Sequence, residues 1–107
     1  MLDNEDRMNI KQIEETAKQI WGDEYKFGHI DVINSPFGIF EMYLIIYNFD
    51  ILFTYDRSIL GISIKVAGDY KNIRAFTKKE IKGGFDSCKP ENLIYNFRIL
   101  DEILRSM

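Results

Sequence analysis

YKFGHIDVINSPFGIFEMYLIIYNFDILFTYDRSILGISIKV, residues 25–66, is the stretch that decides the fold. Apolar side chains recur in it at every second position. The alternation breaks at Ser35-Pro36-Phe37-Gly38, from Asn48 to Asp50 and at Asp56-Arg57-Ser58, three clusters of turn-forming residues. A period of two interrupted in this way predicts four strands. Their connections are too short for crossover helices, so neighbouring strands run antiparallel as a meander. A fifth strand is placed at Ile73 to Thr77, which makes the sheet four- to five-stranded.

The strands differ in how many faces they bury. The fourth points Leu60, Ile62, Ile64 and Val66 one way and Gly61, Ser63 and Lys65 the other, a pattern with one wet face. The second is apolar on both faces, with Phe40, Met42, Leu44 and Ile46 on one and Tyr43, Ile45, Tyr47 and Phe49 on the other. That second face calls for a cover: a helix, a loop, a second copy of the chain or another protein.

On either side of the meander the period changes to that of a helix. Ile10, Ile13, Ala17 and Ile20 form an apolar stripe, with Glu14, Glu15 and Lys18 on the opposite side and Gly22 as a stop after Trp21. Asn9 followed by Gln12 has capping-box spacing, and Met8 and Ile13 stand at the positions of a hydrophobic staple, so the helix is expected to start near Asn9. Residues 1–8 then form an acidic leader without fixed structure, and Met8 is an alternative start. Beyond Gly83-Gly84, Pro90 suits a first helical turn, and Leu93, Phe97, Leu100 and Leu104 form one stripe. The expected fold is α+β: an N-terminal helix, an antiparallel meander and a C-terminal helix in one domain spanning residues 9–107.

At 107 residues the chain is too short for two self-sustaining cores. Its longest apolar run, Met42 to Tyr47, falls far short of the ~18 residues of a membrane span. The acidic opening residues do not read as a secretory signal, and the single cysteine, Cys88, excludes an internal disulfide, so a reducing cytoplasmic setting is expected. The abundance of Ile, Lys, Asn, Tyr and Phe suggests an AT-rich coding sequence, such as that of a low-GC bacterium or its phage.

Net charge is only −3, but it is unevenly placed. Residues 1–24 carry seven acids against three bases, whereas residues 65–89 carry seven bases against three acids. The basic segment holds Lys71, Arg74, Lys78, Lys79 and Lys82 together with Tyr70 and Phe76, and bases interleaved with aromatics can hold a single nucleic-acid strand. An ordinary lysine-bearing edge explains the same residues, and the acidic total weighs against nucleic acid.

Catalytic chemistry finds little to rest on. One His and one Cys far apart make no zinc site, and His29 with Asp31 on one strand face is a surface pair rather than a ligand set. Cys88 precedes a helix N-terminus beside Lys89, both of which lower a thiol pKa, but no base or orienting group accompanies it. Phosphate-binding glycine loops and the serine-hydrolase elbow are absent from the sequence. No enzyme, metal or cofactor is expected.

The reading left is a small protein-binding module. In size, acidity and lack of motifs the chain is similar in outline to immunity proteins that neutralise polymorphic or contact-dependent toxins, a likeness of profile rather than of residues. On that likeness, Glu14, Glu15, Asp23 and Glu24 would steer a toxin with a basic surface, and Tyr43, Ile45 and Tyr47 would anchor it. The alternatives are a nucleic-acid-associated or phage regulatory protein acting through residues 65–82, and a structural homodimer that buries the second strand.

Overall fold

A computed structural model describes residues 3–107. Helix α1 (Asn4–Trp21) leads into strands β1 (Tyr25–Asn34), β2 (Ile39–Ile46), β3 (Phe49–Asp56), β4 (Ile59–Val66) and β5 (Asp69–Asn72), and helix α2 (Pro90–Arg105) closes the chain. The five strands form one antiparallel sheet in sequential order, the expected meander. No helix among the described residues is long and apolar enough to cross a membrane.

Both helices lie on the same face of the sheet. Ile13, Ala17 and Trp21 of α1 and Leu93, Phe97 and Leu100 of α2 share one buried cluster with Phe40, Met42, Leu44 and Ile46 of β2, Ile51, Phe53 and Tyr55 of β3, and Leu60, Ile62 and Ile64 of β4. Aromatic rings tie the layers together: Phe97 stacks on Phe53 at 5.2 Å and meets Trp21 at 5.4 Å. Among the described residues no helix lies over the opposite face of the sheet.

Two expected boundaries shift. Helix α1 starts at Asn4, not near Asn9, because Asp3 caps it by accepting a hydrogen bond from the Asp6 amide. The extra turn is fastened to the core, since the buried Asp6 carboxylate accepts a 2.7 Å bond from Tyr55 Oη and Asn9 Nδ2 donates to the same hydroxyl at 2.8 Å. The expected leader is thus helical from residue 4; residues 1 and 2 lie outside the described residues. Met8, assigned to a staple, is largely exposed. The fifth strand falls at Asp69–Asn72, and Ile73–Ala75 is a 3-10 turn begun when Asn72 Oδ1 accepts from the Arg74 amide.

The chain between β5 and α2 is held by side chains that replace strand pairing. Asn96 of α2 clamps Lys82, accepting from its amide at 2.8 Å and donating to its carbonyl at 2.9 Å. Ser87, fully buried, accepts from the Leu60 amide and donates to the Ser58 carbonyl at the start of β4.

Candidate functional site

The uncovered face of the sheet carries a row of aromatic side chains. Alternation places His29, Tyr43, Leu52 and Ser63 across β1 to β4 in one register line. The His29 ring stacks on Tyr43 with centroids 4.6 Å apart, and Tyr70 from β5 meets Tyr43 edge-on at 6.1 Å. Lys65 Nζ lies 5.7 Å from the Tyr70 ring centre. Leu52 is buried although no helix covers it, and Ile45 beside it is exposed.

Acids border this row. Tyr43 Oη donates to Glu41 Oε1 at 3.0 Å, and the hydrogen bond to that carboxylate is the main reason the phenol pKa is raised. Tyr70 is raised chiefly by partial burial and then by Asp50, so both phenols stay neutral donors. Asp31 Oδ2 lies 3.5 Å from His29 Nε2, on the shared face their spacing predicts. Asp50 joins Gly28, His29, Tyr43, Ile45, Lys65 and Tyr70 around a depression of about 270 Å³. That lies below the ~300–1,000 Å³ of clefts that enclose small ligands. Gly28 has a specific role here, because a Cβ on it would stand 2.5 Å from the Tyr43 carbonyl oxygen.

The residues expected to bind a partner divide into separate places. Tyr43 and Ile45 lie on the uncovered face. Tyr47 does not: both Tyr47 and Asn48 take positive φ, at 52° and 69°, and the turn carries the Tyr47 ring round to the helix side. There its hydroxyl donates to Asp101 at 2.8 Å and accepts from Arg105. Glu14 is half-buried and accepts from Tyr25 Oη, while Glu15 faces Lys11 at 3.9 Å, both on α1 across the sheet from Tyr43. Asp23 and Glu24 are exposed in the 3-10 turn after α1. The acids beside Tyr43 on its own face are instead Asp31, Glu41 and Asp50, with Asp56 at the far end of β3, and strand parity makes them legible once β1, β2 and β3 are placed in register.

The basic segment is also divided. Lys79 Nζ pairs with Glu102 at 2.7 Å, Lys82 Nζ lies 5.2 Å from the Tyr95 ring centre, and both are tied to α2. Lys71 is on β5, Arg74 in the following turn and Lys78 in exposed coil. Phe76 packs against the core while Tyr70 faces the open side, so the two aromatics do not form a shared stacking surface.

Cys88 is buried, and burial pushes its thiol up to about 11, outweighing a hydrogen bond with Ser87 that acts in the lowering direction expected from the sequence. Among the described residues no group of three or more His, Cys, Asp or Glu is arranged to hold a metal ion. No family model matches the chain, and neither a curated protein nor a solved structure matches it.

Proposed function

We propose that the chain is a protein-binding module of the immunity type, which neutralises a bacterial toxin by stoichiometric binding, and that it docks through the uncovered face of its sheet. The observation that carries this reading is the aromatic row of His29, Tyr43 and Tyr70 bordered by Asp31, Glu41 and Asp50. Aromatic rings bury large area at low entropic cost, and acids around them select a partner rich in Lys and Arg. Glu14, Glu15, Asp23 and Glu24 act on association at longer range, since exposed charges mainly alter the on-rate.

Co-expression with the product of the reading frame directly upstream of its gene tests this in a growth assay. Rescue by the wild-type chain, lost with Tyr43→Ala combined with Asp50→Lys and kept with Lys78→Glu combined with Lys79→Glu, is expected. Absence of rescue, or steeply salt-dependent RNA or DNA binding lost only in the lysine variant, would overturn the proposal in favour of a nucleic-acid role.

A further inference from the structure

The two edges of the sheet are built differently. β5 has four residues, all exposed, and its shortness blunts that edge against further pairing. β1 at the other edge runs for ten residues, of which only Tyr25 is buried. Phe27 is 47% exposed, Val32 49% and Ile33 59%, although Phe27 and Val32 pair with the core residues Leu44 and Phe40 and point to the helix side. An edge this long and apolar is the kind that takes up another strand.

From this edge we infer that β1 pairs with β1 of a second copy, antiparallel about a two-fold axis between Gly28 and His29. The bulge selects that axis. It inserts Gly28 into β1, so that Tyr25, Phe27, Ile30 and Val32 face the helix side while Lys26, His29 and Asp31 face the open side. An axis at the bulge sets Tyr25 opposite Val32 of the second copy, Phe27 opposite Ile30 and Lys26 opposite Asp31. It is the two-fold register that overlaps the whole of residues 25–32 with like faces opposed. Apolar meets apolar on the helix side, and lysine meets aspartate twice on the open side. Lys26 forms no ion pair within the chain among the described residues. The resulting ten-stranded sheet leaves both aromatic rows uncovered and side by side, so two partners can be held at once.

Sedimentation velocity of the full chain reads the assembly, with circular dichroism as the check that each variant is folded. The wild-type chain is expected to dimerise. Lys26→Asp alone and Asp31→Lys alone each place like charges at both symmetry-related pairs, and each is expected to weaken dimerisation by about tenfold or more. Mixing these two single variants restores two opposite-charge pairs and should recover the dimer, as should Lys26→Asp combined with Asp31→Lys in one chain. A wild-type chain that stays monomeric into the millimolar range overturns the inference and leaves the edge to a strand from another protein. Dimerisation untouched by either single reversal, or not recovered on mixing, overturns it as well.

Discussion

Asp101 gathers donors from three parts of the chain. Its Oδ1 accepts from Trp21 Nε1 at 3.0 Å and from Tyr47 Oη at 2.8 Å, while Oδ2 accepts from Arg105 Nε at 2.9 Å. Partial burial works against its charge, yet the bonds from Tyr47, Trp21 and Arg105 prevail and hold the carboxyl below its ordinary 3.8. The stability Asp101 contributes is therefore complete above that ordinary value and is lost as pH falls through the lower folded one. Asp101→Asn keeps an acceptor but turns an amide group toward Arg105. Urea unfolding followed by circular dichroism should show a loss of about 1–3 kcal/mol at neutral pH, with a flatter acid limb than the wild type. A variant with wild-type stability and acid limb would remove Asp101 from the account.

Cys88 titrates in the opposite direction. Burial lifts its folded pKa from the ordinary 9.0 to about 11, so the stability linked to the neutral thiol is complete below pH 9 and lost as pH rises through about 11. Cys88→Ala should remove that part of the alkaline destabilisation while leaving partner binding intact. A folded-state thiol that reacts rapidly with a disulfide reagent near pH 8, together with loss of function in Cys88→Ala, would point to thiol chemistry instead.

The hairpins explain how unremarkable turn sequences hold the meander in register. Each two-residue loop has positive φ at both positions: Tyr47-Asn48, Arg57-Ser58 and Ala67-Gly68. This is the type I′ geometry, whose twist matches that of the flanking strands. Only Asn48 and Gly68 are residues that favour it, so the other positions carry local strain that the paired strands overcome. Ala67, exposed with φ 53°, is the simplest to relieve. Ala67→Asn, which completes an Asn-Gly turn, should raise stability by about 0.5–1 kcal/mol in urea unfolding, and an unchanged or lower midpoint would contradict the turn assignment.

The strongest patterns were the most legible elements. Period two over residues 25–66 and the stripe Leu93, Phe97, Leu100 and Leu104 both return as observed strands and helix. The start of α1 was hidden because Asn9-Gln12 and Asp3-Asp6 both have cap spacing, and the choice between them depends on Tyr55, 49 residues away from the buried Asp6. The fifth strand was displaced because Ala67-Gly68 was not among the recognised turns, and Asp69–Asn72 carries no alternation to mark it as a strand.

In the molecule as a whole, layering decides which sequence features can act together. Apolar residues on both faces of β2 required two covers, and the fold supplies helices for one. Tyr43 and Ile45 were identified from the sequence as belonging to the other face, because parity within one strand is readable. Tyr47 was misplaced because its turn breaks that parity, and Asp50 was missed because it becomes a neighbour of Tyr43 only through strand pairing; Glu41, two residues before Tyr43 on the same strand, was open to the same parity reading and was overlooked. The N-terminal acids Glu14 and Glu15, prominent in the sequence, lie on the helix side. Under the proposed docking, a partner seated on the aromatic row would feel their field without touching them.

Hydroxyl-radical footprinting of the chain alone and in complex with the protein encoded directly upstream tests the docking face most directly. Reduced oxidation at His29, Tyr43, Ile45 and Tyr70, with Met8 and Tyr95 on the helices unchanged, is the predicted result. Protection confined to the helix side, with Tyr43 and Tyr70 oxidised as fast in the complex as in the free chain, would contradict it.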